Sequence, residues 1–379
     1  MMYDLIIAGG GPSGSSAART AARLGLDVLL IEKERFPRYK PCGGALSERA
    51  LSYLDFSLPD ELCERNITGA RVHFKDQVIE LYKNYRLTVL TTRSRFDHFL
   101  LKKAEDAGAL VAEGMKVEDY SEKDDHVEVE AGGETHRSRF LLVSSGCQDR
   151  LKERIRGRDR RDQYGICMVT EVPEDDQLID ERIHNALELH FGVARMGYGW
   201  IFPHRGYYSV GIGGLAERLK SPRAVMNEFL KTNGFNGRYE LHGHVIPFGG
   251  MSRRLSGDRV LLTGDSAGFV DAFTGEGIAY AIRSGQIASE AVSRGLDDSK
   301  LRVPDAYRSG CKSDFGDELK YALLFAKLMH SQPDIFFKVL TGKNDVLDKY
   351  IEIVGLKRTY KSYLKWLVPR MPGRILGAI

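Results

Sequence analysis

Apolar residues recur along the chain with two different periods, and the change from one to the other divides it. Residues 3–8 (Tyr-Asp-Leu-Ile-Ile-Ala) form a short apolar run of the buried-strand kind. Gly9 to Gly14 break that run as a turn, and 14–24, with Ala17, Ala18, Ala21 and Ala22, read as a helix of small residues. Residues 27–32 are a second apolar run closing on an acid, Glu32. The three pieces predict a compact βαβ unit. The spacing predicts a helix over 92–107, opened by Thr92, with Phe96, Phe99, Leu100 and Ala104 on its apolar face. Strands near 110–118, 126–131 and 139–143 follow, separated by hairpin turns at 122–125 and at Gly132-Gly133. From about 164 the pattern changes to strand-like alternation rich in aromatics, as in 186–192, 200–203 and 207–212. That predicts an antiparallel sheet, interrupted by a helix over 221–232. A buried-type strand returns at 259–263, followed by Gly264-Asp265 and a long small-residue helix at 275–294; the pattern over 301–379 is mostly helical.

The nucleotide-type pieces thus lie on both sides of the antiparallel region. The expected fold is mixed α/β: a Rossmann-type domain interleaved with an antiparallel β-sheet domain, then a C-terminal helical region. The expected boundaries are 1–70, 91–163 and 255–300 for the first, 71–90 and 164–254 for the second, and 301–379 for the third.

Composition narrows this picture. With 42 % hydrophobic and 28 % charged residues in 379, a disordered or fibrous chain is excluded. The 55 Lys+Arg against 52 Asp+Glu leave a net charge of +3, which gives no reason to expect a nucleic-acid partner. No run approaches the ~18 apolar residues of a membrane span, and Met1-Met2-Tyr3-Asp4 lacks the basic start of a signal peptide, so a cytoplasmic protein is expected. Cys42, Cys63, Cys147, Cys167 and Cys311 are odd in number and scattered, which suggests reduced thiols. No CxxC or HxxxH pair suggests a metal. Glycine is the outlier: 40 residues, about a tenth of the chain against the usual ~7 %.

Gly9-Gly10-Gly11-Pro12-Ser13-Gly14 is a GxGxxG turn between a strand and a helix. Gly9 permits the turn, Gly11 lets a pyrophosphate approach the main chain, and Gly14 lets the helix pack on the strand; the helix N-terminus supplies free N–H groups. Glu32 ends the second strand eighteen residues after Gly14, where a carboxylate accepts from ribose hydroxyls. The distal Gly264-Asp265 turn and the Gly275-Glu276-Gly277-Ile278 helix start decide between the dinucleotides. A carboxylate at 265 can accept from a ribityl chain. N–H groups near 277–278 can stabilise negative charge on a reduced flavin. NAD dehydrogenases need no such second element, so the cofactor expected is FAD, as in enzymes of the para-hydroxybenzoate hydroxylase type.

Three segments make the sequence resemble the geranylgeranyl reductase family of flavoproteins. They are Lys40-Pro41-Cys42-Gly43-Gly44-Ala45-Leu46-Ser47, similar to the family's CxGG loop; Tyr198-Gly199-Trp200-Ile201-Phe202-Pro203, similar to YxWxFP; and the Gly264-Asp265 … Gly275–Ile278 block. The proline that leads the second motif in the family is replaced by Arg195, and Val143-Ser144-Ser145-Gly146 stands where many relatives have Ala-Asp-Gly. The resemblance implies that Gly9, Gly11, Ser13, Gly14 and Glu32 hold the adenosine-diphosphate half of FAD. It further implies Arg93, in an RxxFD helix start, near the pyrophosphate, Val117 meeting adenine through its backbone, and Asp265, Gly277 and Ile278 holding ribityl and ring. Cys42, Gly43 and Gly44 would pass beside the isoalloxazine.

The implied reaction saturates C=C bonds of a geranylgeranyl chain on a lipid, quinone, prenyl alcohol or diphosphate. The substrate residues would be Tyr198, Trp200, Phe202 and Pro203; the catalytic candidates are Cys42, Tyr198 and Trp200. Alternating on one strand, Tyr198, Trp200 and Phe202 share a face and are either a cavity wall or core aromatics. Cys42 is either a proton donor or a small residue fitted under the ring. The electron donor would be NAD(P)H or a ferredoxin-like carrier, since no second GxGxxG is present. The segment 355–379 carries Lys357, Arg358, Lys361, Lys365, Arg370 and Arg374, no acid, and interleaved Tyr360, Tyr363, Leu364, Trp366, Leu367 and Val368. It fits a peripheral membrane helix or a helix packed on the body with a solvated basic face. A flavin-dependent aromatic hydroxylase or halogenase of the same fold, and a non-catalytic flavin-binding protein, are the competing readings.

Overall fold

The computed structural model describes residues 2–331, 333, 334, 336 and 344–370. In it, β1 (Met2–Ala8) pairs in parallel with β2 (Val28–Glu32), and α1 (Pro12–Arg23) crosses between them. The all-apolar centre of β1 is fully buried, as the middle of a parallel sheet requires. The short sheet β3 (Ala45–Ser47), β4 (Arg65–Ile67) and β7 (Thr88–Leu90) lies between these strands and the RxxFD helix, Arg93–Glu105. Between β4 and β7 come β5 (Gly69–Phe74) and β6 (Gln77–Tyr82), which pattern alone did not reveal.

The first sheet is completed by β8 (Leu110–Glu113), β9 (Val117–Glu122), β10 (Val127–Ala131) and β11 (Glu134–Val143), in the order β8-β2-β1-β11-β10-β9. β9, β10 and β11 form the two expected hairpins, while β11 runs parallel to β1. The second sheet uses β12 (Tyr164–Pro173), β13 (Ala186–Phe191), β14 (Gly197–Pro203), β15 (Tyr207–Leu215) and β16 (His242–Pro247), in the order β16-β12-β15-β14-β13-β5-β6. Its neighbours are antiparallel except β13 and β5. The chain then returns to the first sheet: β17 (Val260–Leu262) pairs in parallel with β11.

Distant segments are stitched together beside the first turn. Ser13 Oγ donates to Thr263 Oγ1 at 2.8 Å, and Ser144 Oγ lies 2.7 Å from the same oxygen. The long helix Ile278–Asp297 lies against α1, with Ser289 Oγ donating to the Ala17 carbonyl at 2.8 Å. A Cβ on Gly285 would collide with the Ser13 carbonyl, so the small residues of both helices permit the close approach. The helices Asp317–Ser331, Asn344–Val354 and Tyr360–Leu367 form a separate apolar cluster with Val72, Leu87 and Phe273. Among the described residues, no helix is long and apolar enough to cross a membrane.

Candidate functional site: a flavin cleft continuous with an apolar arm

One cavity of about 780 Å³ runs from the first turn of α1 to the C-terminal helices. Its polar end is made of Gly9, Gly11, Ser13, Glu32, Arg38, Lys40, Arg93, Ser144–Gly146 and Asp265. Gly9 has φ +107°, and a Cβ there would lie 2.7 Å from the Ser144 carbonyl oxygen. A Cβ on Gly14 would collide with the Gly9 carbonyl; Gly14 is a packing residue of the turn, outside the cavity wall. A Cβ on Gly11 would meet only Arg38 Nη2, at 3.7 Å, so that main chain stays open to a ligand. Glu32 is buried and accepts from the N–H groups of Gly10 (2.6 Å) and Glu34 (2.9 Å), which pin the carboxylate at the strand end.

Two of the three cations at this end share one buried partner. Arg93 Nε and Nη2 each donate at 2.7 Å to the fully buried Asp97, and Arg38 Nη2 joins the same carboxylate at 3.1 Å. Burial opposes the charge of Arg93, but Asp97 more than compensates and raises its pKa. Burial and the Arg93 charge lower the pKa of Lys40. Burial alone would push Asp265 up; His244, whose Nε2 lies 3.9 Å away, with Lys40 and Arg93, holds it below the usual carboxylate range. A bare-backbone turn, a pinned acid and three clustered cations are the donor set a dinucleotide pyrophosphate and ribose require.

The middle of the cavity is the Cys42-Gly43-Gly44 loop facing Gly275–Ile278. Gly44 has φ +69° and approaches the Thr91 carbonyl so closely that a Cβ would collide with it. His204 Nε2 donates to the Gly43 carbonyl at 3.0 Å, and its Nδ1 faces Glu64 Oε2 at 2.6 Å. The imidazole also stacks on Tyr207, with centroids 4.6 Å apart. Cys42 Sγ accepts from the Gly44 N–H at 3.4 Å. Opposite, burial pushes Glu276 up to about 7, against the Ser47 hydroxyl that donates to it and the charge of Arg49. Glu276 is therefore about half protonated near pH 7.

The far end is apolar. Tyr198, Trp200 and Phe202 line it together, with successive ring centroids 6.3 Å apart, so they are a wall of the cavity as well as part of the sheet. Leu187, Leu189 and Phe191 continue the wall on β13, and Phe273, Phe325, Tyr350 and Tyr360 close it. The Tyr198 hydroxyl donates to the Thr274 carbonyl and burial raises its pKa, so its proton is committed to positioning the Gly275–Ile278 loop.

Two expected residues lie elsewhere. Val117 is not at the cavity: it is buried in the core of the first sheet and its main chain pairs with Ala131. Pro203 ends β14 beside Tyr208, outside the cavity wall, because the strand's alternation turns it away after Phe202. The membrane-facing reading of the last helix is also revised for its apolar residues. Tyr360, Tyr363, Leu364 and Leu367 are buried against the body, leaving Lys357, Lys365 and Arg370 on the surface. Arg374 lies outside the described residues. Sequence reasoning missed Arg38, His204, His244 and the closing helices; Lys40 and Glu276 stood inside the quoted motifs without an assigned role.

A parallel sheet opening on this turn, joined to a second sheet over one cleft, defines an FAD-dependent oxidoreductase. A family model for FAD-dependent oxidoreductases matches residues 4–125. The chain is 30 % identical over 314 residues to a menaquinone reductase of Mycobacterium tuberculosis, covering 76 % of each chain. It is 28 % identical over 403 residues to a digeranylgeranylglycerophospholipid reductase of Methanothermobacter thermautotrophicus, covering 97 % of this chain and 99 % of that one. Its fold matches a geranylgeranyl bacteriochlorophyll reductase-like protein from Thermoplasma acidophilum (TM-score 0.78, 21 % identity, 100 % and 96 % coverage). A flavin-dependent brominase shares the fold too (TM-score 0.72, 21 % identity, 94 % of each chain). The chain belongs to the geranylgeranyl reductase family of FAD-dependent oxidoreductases.

Proposed function

We propose that the protein saturates C=C bonds in the polyprenyl chain of a lipid or quinone. The observation that carries this reading is the continuity of the polar cleft with an aromatic and aliphatic arm closed by the C-terminal helices. A long hydrocarbon chain fits such an arm; a compact polar arene leaves most of it unfilled. Bound FAD would supply reducing equivalents as hydride. Gly9, Gly11, Ser13, Glu32, Arg38, Arg93, Asp265, Gly277 and Ile278 would hold it, since the bare turn and the clustered cations match its phosphates and ribose.

The chain's own groups have three tasks. Tyr198, Trp200 and Phe202 exclude water and present ring faces to positive charge developing on a protonated alkene. Trp200 is tied through Ser209 to the Cys42 carbonyl, with Nε1 to Oγ and Oγ to O distances of 3.4 Å each, so wall and loop move together. Cys42 and Glu276 line the cavity from two different loops and are the candidate proton donors. NAD(P)H or a ferredoxin-like carrier serves as the electron source.

The test is anaerobic. The reduced flavin-loaded protein is mixed with geranylgeranyl diphosphate or a digeranylgeranyl glycerolipid, and flavin absorbance and product mass are followed. Reoxidation with a mass gain of 2 per double bond is expected. Reoxidation only by oxygen, with a hydroxylated or halogenated arene, would move the protein to the competing reading.

A further inference from the structure

Behind the arm, on the opposite face of the same sheet, three ligand-type side chains meet. Along β13, Leu187, Leu189 and Phe191 face the cavity, so Glu188 and His190 point the other way. His73 on β5 is the register partner of His190 across the parallel pair. The two imidazoles stack with centroids 4.1 Å apart. His190 Nε2 lies 2.7 Å from Glu188 Oε1, and His73 Nε2 lies 3.3 Å from the same oxygen.

The cluster is buried and incompletely satisfied. Glu188 is 3 % exposed and His190 9 %. His73 Nε2 and Glu188 Oε2 are both shielded from solvent without a hydrogen-bond partner. Arg71 Nη1 forms an ion pair with that oxygen at 3.8 Å, beyond hydrogen-bond reach, and its guanidinium also bonds Glu80 and the Arg182 carbonyl. A carboxylate oxygen and an imidazole nitrogen without hydrogen bonds inside a sheet are costly unless something joins them.

We infer that His73, Glu188 and His190 form a binding site for one divalent transition-metal ion of the zinc type. Two imidazole nitrogens and a carboxylate are a borderline donor set that suits zinc better than the hard, all-oxygen-seeking calcium or magnesium. One ligand atom from each of the three residues already lies within 4.8 Å of the others. An ion about 2.1 Å from each donor takes the place of the His190–Glu188 hydrogen bond and gives His73 Nε2 the partner it lacks. His73 is 26 % exposed at its side chain and gives the ion a way in. The other ligand-type group, Cys147, His244 and Asp265, lies in the flavin cleft and belongs to that site.

The bound ion would clamp β5 to β13, the parallel seam of the second sheet, directly behind Val72, Leu187 and Leu189 of the arm. The clamp is independent of which substrate the arm holds. The test uses the full-length flavin-loaded protein. It is equilibrated with excess zinc chloride, passed through a desalting column and assayed for metal, with melting temperature read in parallel. About one zinc per chain and a melting temperature a few degrees higher are expected for wild type. Glu188→Gln and His73→Ala should each lose at least ten-fold of the zinc and the whole temperature rise; His73→Ala changes a partly exposed side chain, so the fold survives. Wild type that retains no zinc, or a His73→Ala protein that retains as much as wild type, overturns the proposal. Zinc lost from His244→Ala but kept by His73→Ala also overturns it.

Discussion

At the Gly9–Glu32 end the cavity is walled by main chain and fixed charge; at the Phe325 end it is walled by rings and aliphatic side chains. At the polar end Gly9 tolerates no side chain because it sits against the Ser144 carbonyl, while Gly11 leaves its main chain open to a ligand. The apolar end is a cluster in which Phe325 touches Phe273 (centroids 4.6 Å), Tyr363 (5.5 Å) and Tyr350 (5.7 Å), drawn from four separate segments. The contrast separates two jobs. On the function proposed above, FAD would be held by main chain and buried ion pairs, and the prenyl chain by a volume that can be repacked. Relatives named for different prenyl compounds fit that division.

The largest expected effect breaks the polar end. Gly14→Val should give protein that purifies without yellow colour, because the side chain collides with the Gly9 carbonyl; flavin absorbance checks this. Next, Phe325→Ala should cost roughly 3–5 kcal/mol of stability, the usual range for a buried phenylalanine, since Phe325 is fully buried. Unlike Gly14→Val, it should keep its flavin in the folded fraction while losing prenyl turnover. Denaturant unfolding and flavin titration separate the two results.

Glu276 sits where the two ends meet, and its pKa of about 7 gives it a defined pH signature. If its carboxyl is the proton donor, prenyl reduction should be level below pH 7 and fall about tenfold per unit above it. Glu276→Gln should be slow and flat in pH, while Cys42→Ala keeps the pH dependence. Stability has its own sign. A folded pKa above the ordinary 4.5 means folding takes up a proton between those values, so the group destabilises the fold as pH rises from 4.5 to 7. Flavin-free Glu276→Gln should therefore melt above wild type at pH 8 and level with it at pH 4.5.

The smallest effect concerns the surface of the last helix. With its apolar face buried, any attraction to an anionic membrane rests on cations, at roughly 1 kcal/mol each. Lys365→Ala should weaken liposome co-sedimentation several-fold and leave the cavity intact. Unchanged binding would remove this helix from membrane contact.

The two ends also differ in how far the sequence discloses them. The Gly9–Gly14 turn, Glu32 and the Gly264-Asp265 turn are legible because each places its groups within a few residues, where backbone geometry fixes them; the Cys42-Gly43-Gly44 loop is legible only through its resemblance to the family motif. The face shared by Tyr198, Trp200 and Phe202 is legible for the same reason. Arg38, His204 and His244 are not, because their neighbours come from tertiary pairing: His204 meets Gly43 across 161 residues. The helical C-terminus could be read as helices, but not as the closure of the arm, since an amphipathic face does not name what it packs against. Val117 illustrates the converse: local pattern runs one strand over 110–118, whereas Gly114 (φ +73°) breaks it and Val117 opens a separate strand beside Ala131.

The stitching of Ser13 to Thr263, 250 residues apart, and of Ala17 to Ser289, 272 apart, bears on how the protein is made. High contact order of this kind slows folding, and on the ribosome it orders events. The N-terminal βαβ unit emerges first but lacks its partner helix until residue 297 has been synthesised, and the arm lacks its closing helices for some seventy residues more. A nascent chain halted before residue 264 lacks Asp265 and the Gly275–Ile278 turn of the cleft, so FAD capture is expected only once those residues have emerged.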